Sequence, residues 1–262
     1  MCFGCGMGGA LYSKSMQNLN SNIGLLDLDR YLSSISYPGR GILIGQPSNE
    51  HKAVIAYFIM GRSQNSRNRI LVPDKNEIII KAFDESKVTD PSLIFYSPIR
   101  IMGNKIIVGN GDHTDSVYKY MDLQYTFEQA LASRQFEPDA PHYTPRITGI
   151  VHCSNSKMNY SLSIIKSASG NPSSCLQHTF SYYNPLPGEG SIIHTYMNDG
   201  NPLQSFQGEP KRVYIGSYGI DTIADKIWNS LNSDYKVSLF VGYIHLETLK
   251  MESKIINENT QI

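Results

Sequence analysis

Charge is scarce in this chain and favours neither sign. Only 18% of its 262 residues are charged, and 23 Lys+Arg against 23 Asp+Glu leave a formal net charge of zero. Without a basic excess there is no broad surface for a polyphosphate backbone, which argues against nucleic acid as a partner. Long apolar runs are missing as well. The longest, at 53–60 and 238–244, have the length of strands and fall far short of the ~18 residues of a spanning helix. The first twenty residues lack the basic start and apolar block of a secretory signal. Membrane insertion and export are therefore not expected, and a cytoplasmic setting is. Cysteine is sparse: Cys2, Cys5, Cys153 and Cys175. Cys2 and Cys5 form one CxxC with no second pair, which falls short of the four ligands of a zinc site, so free thiols in a reducing compartment are the expectation. A 40% hydrophobic content is too high for a disordered chain, and the length allows a core without disulfide or metal staples.

What is present is organised as short apolar runs between turn signals. Residues 1–24 are rich in Gly, Ser and Asn and read as a flexible extension, followed by a short helix at 25–32. A single domain is expected over 25–250, and a polar tail that frays over 251–262. Runs rich in β-branched and aromatic residues predict strands at 41–45, 53–60, 77–83, 93–96, 105–108, 147–153, 160–166, 177–183, 191–196, 213–216 and 236–246. Ser154-Asn155-Ser156-Lys157 has the look of a hairpin connection. Helical spacing marks 115–121, 126–134 and 221–231, the last with Ile223, Ile227 and Leu231 on one face. Many strands with few helices predict one α+β domain built on packed antiparallel sheets.

Some polar segments ask more than a core requires. Gly39-Arg40-Gly41 precedes a strand, and residues 61–69 (GRSQNSRNR) follow one; four of the nine arginines lie between positions 40 and 69. A guanidinium binds phosphate or carboxylate through two points, so this concentration fits an anion site, and a solvated basic loop fits as well. Residues 109–115 (GNGDHTD) contain a glycine turn with Thr114 or Asp112 as a helix cap, yet hold more Asn, Asp and His than a cap needs. Residues 137–146 (EPDAPHYTPR) carry three prolines, which stiffen a loop able to position Glu, Asp, His, Tyr and Arg. A fifth segment joins Gly188-Glu189-Gly190 to His194-Thr195-Tyr196. No Walker loop, dinucleotide fingerprint, nucleophile elbow or HExxH site is present, so no cofactor and no metal is expected.

In this order, YPGRG at 37–41, GRSxNSRNR at 61–69, NGDxTD at 110–115, EPDAPxYTPRI at 137–147 and GEGxxIHTY at 188–196 resemble the archaeal-type IMP cyclohydrolase family and its bacterial IMP cyclohydrolase-like relatives. The resemblance implies a fold like that of the N-terminal-nucleophile hydrolases, an αββα sandwich of two antiparallel sheets flanked by helices. It also implies a reaction in purine biosynthesis, in which a formamidoimidazole-carboxamide ribonucleotide closes its ring to IMP with loss of water. The implied partner is a small purine nucleotide, and a homo-oligomer is compatible with it. Carried over by motif, Arg40, Arg62, Arg69 and Arg146 would bind the 5′-phosphate and polarise substrate oxygens, with Ser63 and Asn68 hydrogen-bonding the substrate. Asn110, Thr114 and Asp115 would read the ribose or the carboxamide. Tyr143 and His194 would carry protons, Asn110 and Asp115 completing the catalytic set. Two rivals remain: a nucleotide-binding protein without chemistry, and an amidohydrolase using Cys2 as an N-terminal nucleophile.

Overall fold

The computed structural model describes residues 24–48, 51–88 and 96–259. The expected extension at 1–24 lies outside them except for Gly24, as do Cys2, Cys5 and most of the strand expected at 93–96; Tyr96 itself lies outside any strand.

The most apolar runs become the most buried strands. β2 (Arg40–Gln46) and β3 (Lys52–Met60) are buried on both faces, and β13 (Lys236–His245) matches them. Such strands need cover on each side. They sit in a seven-stranded sheet of order β1-β12-β11-β2-β3-β13-β14, completed by β1 (Leu26–Asp27), β11 (Glu189–His194), β12 (Lys211–Tyr214) and β14 (Met251–Asn257). Every pairing in it is antiparallel except β1 with β12. The second sheet, wholly antiparallel, has the order β10-β9-β8-β7-β6-β5-β4. Its strands are β4 (Arg69–Asp74), β5 (Glu77–Ala82), β6 (Ile99–Met102), β7 (Lys105–Gly109), β8 (Arg146–Ser154), β9 (Lys157–Ala168) and β10 (Asn171–Tyr183). Between β8 and β9, Asn155 and Ser156 both have positive φ (50° and 59°), the geometry of a two-residue hairpin turn.

Three apolar clusters define four layers. The largest fills the space between the sheets, with Ile42, Ile44 and Tyr57 meeting Val108, Ile147 and Leu162. A second lies outside the first sheet under α1 (Leu28–Ser33) and α5 (Ile220–Ser230), where Leu28, Leu32, Ile223 and Ile227 form buried stripes. The third lies outside the second sheet under α3 (His113–Asp122) and α4 (Phe127–Leu131), the latter opened by a Thr126–Gln129 capping box. A one-turn helix, α2 (Gln64–Arg67), follows β3. The order is helix, sheet, sheet, helix in one α+β body. No helix among the described residues is long and apolar enough to cross a membrane.

One expectation is overturned outright. Residues 251–257 do not fray; they pair with β13 from Ile244↔Met251 to Ser238↔Asn257, and Met251, Ile255 and Ile256 pack on the two larger cores. Alternate charged residues made this strand look like a tail. The expected helix at 25–32 begins three residues later, because Leu26 and Asp27 pair with β12 and Asp27 caps the helix from outside.

At one end of the sandwich β2, β4 and β8 begin while β3, β7 and β11 finish. Antiparallel order brings the polar segments 37–41, 61–69, 109–115, 137–146 and 194–203 together there.

Candidate active site

A cavity of about 320 Å³ opens at that end, within the size range of small-molecule sites. Its walls come from both sheets: Tyr37, Arg40, Arg62, Ser63 and Asn65 stand at the ends of β2 and β3, and Arg69, Asn110, Asp112, Glu137, Asp139, His142 and Thr144 at the ends of β4, β7 and β8, with Tyr96 and Tyr196 beside them.

Three arginines line the cavity, and they differ in how they are held. Arg62 is committed: it pairs with Asp199 at 2.7 Å, donates to the Gly200 carbonyl at 2.9 Å and lies over the Tyr37 ring at 5.2 Å. The guanidiniums of Arg40 and Arg69 have no hydrogen bond or ion pair among the described residues. Arg69 is only 5% exposed, and its Nε is fully buried without an acceptor. Burial, and then the charge of Arg40, pull its pKa down. The side-chain Oδ1 of Asn65 in the same wall is also buried and unpartnered. Tyrosine rings pack around the two cations, with the Tyr57 and Tyr96 hydroxyls 3.1 Å apart. Tyrosine hydroxyls are neutral at physiological pH and cannot balance two positive charges. A partly desolvated pair of guanidiniums with no ion pair among the described residues invites an anion.

The opposite wall carries carboxylates: Asp112 and Glu137 share Arg146 as counter-charge, and Asp139 accepts from Thr144. Arg146 stands behind them, donating to the Gln135 carbonyl (2.8 Å) and Asp112 (2.6 Å) and pairing with Glu137 (2.9 Å). For Asp112 burial works against the charge, but Arg146 and Arg134 outweigh it and hold its pKa low. For Glu137 burial wins over Arg146, and its carboxyl is pushed up. His113 lies beneath, fully buried, with Nδ1 3.2 Å from Arg146 and Nε2 3.2 Å from the Ile147 carbonyl. Burial, then Arg146, drives its pKa down to about 3, so it is neutral and donates to Ile147 through Nε2–H. Gly111 packs directly on this group: an added Cβ would stand 2.7 Å from Arg146 Nη1 and 3.1 Å from Glu137 Oε1.

His142 faces a donor on each side. Its Nδ1 accepts the Leu203 N–H at 3.1 Å, which leaves the ring proton on Nε2. That Nε2 lies 3.4 Å from Arg62 Nη2, so two donors approach each other. An acceptor atom in the cavity can take both.

The sequence-derived candidates divide accordingly. Arg40, Arg62, Ser63, Arg69 and Asn110 line the cavity. Asn110 does so with its amide already bound to the Pro145 carbonyl (2.9 Å) and the Ile147 N–H (2.8 Å), which fixes the 137–146 loop against β8. The others lie elsewhere. Asn68 clamps the backbone of Asp84 at 2.7 and 2.8 Å, and the Thr114 hydroxyl donates to the Gly111 carbonyl at 2.8 Å. Asp115 turns outward to Arg100 at 2.9 Å, and Arg146 acts from behind the wall. Tyr143 packs edge-on against Phe136, ring centroids 5.7 Å apart. His194 is 1% exposed and held between the Tyr31 hydroxyl (2.6 Å) and the Tyr196 carbonyl (2.8 Å); burial first of all lowers its pKa to about 4. Residues not chosen from the sequence take their places: Tyr37, Tyr96, Asp112, Glu137, Asp139, His142 and Tyr196. All but Tyr96 stand in the polar motifs already noted, so the signal was present in the motif and missing for the individual side chain.

The turn before β2 has a strict requirement. Gly39 has φ +77°, and an added Cβ would stand 2.2 Å from Thr195 Oγ1 and 2.6 Å from the Tyr196 ring. Left-handed backbone costs a non-glycine roughly 1–2 kcal/mol, and overpacking adds about 1–3 kcal/mol. Gly39→Ala is therefore expected to lower the unfolding free energy by about 2–4 kcal/mol in chemical denaturation. A denaturation midpoint equal to the wild type's would refute the packing described.

Comparison with known proteins places this geometry. The chain is 32% identical over 123 residues to the IMP cyclohydrolase of Haloquadratum walsbyi, covering 45% of this chain and 58% of that protein. It is 27% identical over 128 residues to the IMP cyclohydrolase of Methanococcus aeolicus, covering 47% and 62%. It thus spans about three-fifths of the length of these curated relatives. A family described as IMP cyclohydrolase-like protein matches residues 37–248, a span that holds every residue lining the cavity. The chain belongs to the IMP cyclohydrolase-like protein family.

Proposed function

We propose that the cavity binds a purine mononucleotide and closes the ring of a formamidoimidazole-carboxamide ribonucleotide to give IMP and water. One observation carries this reading: Arg40 and Arg69, two guanidiniums with no ion pair among the described residues, face one small cavity. Their charge suits a single phosphate, and the size of the cavity suits a mononucleotide and not a polymer. The names of the relatives then supply the chemistry, since each is an IMP cyclohydrolase.

The carboxamide nitrogen is a weak nucleophile, so holding it against the formyl carbon is the first task. The new N–C bond forms as the formyl π electrons move to oxygen, which needs donors in place; Arg62 and His142 Nε2–H converge on one acceptor position. The carboxamide nitrogen must lose a proton after attack, the formamido nitrogen must lose one as the C=N bond forms, and the former formyl oxygen must gain both to leave as water. Glu137 lines the cavity, and its pKa is raised toward the working range of a proton carrier. In this scheme Arg146 and Asp112 position Glu137, and the balance closes without redox or metal chemistry. The layer order, with the cavity at a strand-end edge, is our basis for assigning the N-terminal-nucleophile-hydrolase-like fold.

The test is turnover of the formylated ribonucleotide, followed by release of IMP, together with calorimetry using IMP. Turnover with saturable binding is expected. Binding without turnover would leave a nucleotide-binding protein, and neither would remove the reading altogether.

A further inference from the structure

The four sheet edges are not alike. β1 is two residues long, and β4 carries Arg69, Pro73 and Asp74. β14 alternates Glu252 and Lys254 along its length. Short strands, prolines and charges are the devices that keep an open edge from pairing with another chain. β10 runs for 13 residues, Asn171–Tyr183, without one Lys, Arg, Asp or Glu. Its only irregularity lies at the start, in the shift between Asn171 and Cys175; from Cys175 to Tyr183 it follows β9 residue by residue. Its other edge has no backbone partner among the described residues.

The side chains match the open backbone. Leu176, His178, Phe180 and Tyr182 share one face, since they pair with Lys166, Ile164, Leu162 and Tyr160 of β9. Only Tyr182, stacked on Tyr160 at 4.5 Å, reaches the inter-sheet core. Leu176 remains 40% exposed, and Tyr183 on the opposite face 75%.

From this we infer that β10 is a homodimer interface, pairing antiparallel with β10 of a second copy to join two sheets into one. The partner is argued from symmetry and charge. In a two-fold contact residue i faces j and j faces i, so a charge at the axis would meet its own copy and a charge elsewhere on this strand would meet no opposite charge. An uncharged strand escapes that repulsion, and the alternating N–H and C=O groups of an antiparallel strand complement their own two-fold image. No charge on β10 selects a different protein. The inference stands apart from the chemistry of the cavity.

Sedimentation equilibrium of the full chain tests it. The wild type is expected to dimerise, and Gln177→Lys/His178→Lys, at two exposed positions, is expected to raise the dissociation constant about tenfold or more at low salt. A wild type that stays monomeric at its highest soluble concentration overturns the inference, as does a double variant that associates as tightly as the wild type. Amide exchange covers the case in which the variant fails to fold. In the wild type, exchange at residues 175–183 should slow as concentration rises; association that leaves these amides unchanged places the interface elsewhere and overturns it equally.

Discussion

Arg69→Met should melt above the wild type and bind IMP roughly a hundredfold more weakly. The first half rests on the state of this side chain: 5% exposed, its Nε without an acceptor, and a like charge on Arg40 nearby. Methionine has comparable reach and no charge to desolvate, and replacing buried charge by apolar side chains often stabilises by about 1–4 kcal/mol. At this chain length each kcal/mol moves the midpoint by about 2–4 °C. The second half follows from the same geometry. A charge-assisted hydrogen bond contributes about 1.5–3 kcal/mol, and a guanidinium can offer two to one phosphate. Losing about 2.7 kcal/mol is a factor of roughly one hundred in affinity. Calorimetry and a thermal scan check both halves. A variant that melts below the wild type would show that Arg69 is structurally satisfied, and unchanged IMP affinity would remove it from the anion site.

Glu137→Gln should lower kcat by roughly a hundredfold or more, in the range that positioned proton transfer supplies, while KM changes little. Glutamine keeps the size and one acceptor for Arg146, so the wall should survive and only proton transfer should fail. The pH dependence separates this from a structural effect. Burial holds the Glu137 pKa above the ordinary carboxylate range, against the opposing pull of Arg146. In the proposed mechanism the carboxylate is the base, so wild-type kcat should rise with pH through that raised value and level off above it. In the Gln variant this limb should disappear. Stability runs the other way: a raised carboxyl pKa contributes stability that is fully present below the unfolded value and lost as pH rises through the folded one. The variant, fixed in the neutral form, should not show that loss. Retained turnover with the same acid limb would assign proton transfer to another group.

The sheets were legible because buried strands leave an alternating or continuous apolar record, and residues 53–60 and 236–246 needed nothing else. β4 was hidden by Pro73 and by the arginine-rich segment running into it, and β6 by its four-residue length. β14 was hidden because Glu252, Ser253 and Lys254 give its first half a polar, charged look. For the site, the motifs mark the segments that line the cavity; of the side chains named with them, Arg40, Arg62, Ser63, Arg69 and Asn110 reach it and the others do not. Arg69 and Arg146 sit in equivalent arginine-bearing motifs, yet one faces the cavity without a partner and the other lies behind two carboxylates. Orientation of that kind depends on contacts across the sandwich, and no local spacing encodes it. Tyr143 and Glu137 share one proline-stiffened loop; the positive φ of Tyr143 (43°) accompanies the turn of its ring onto Phe136, a detail of backbone geometry.

The cavity draws its walls from both sheets, and that has a thermodynamic consequence. A ligand held by Arg40 on the first sheet and by Arg69 and the Glu137 loop on the second is a cross-brace between the layers, added to the contacts of Thr144 with Tyr196 and of His142 with Leu203 at this end. Prying the layers apart must then expel it, so occupancy and global unfolding are linked. At a hundred times its dissociation constant such a ligand adds about 2.7 kcal/mol to the unfolding free energy. The lifetime of the protein against heat and proteolysis would follow the supply of whatever ligand braces the two sheets, a purine nucleotide under the proposed function.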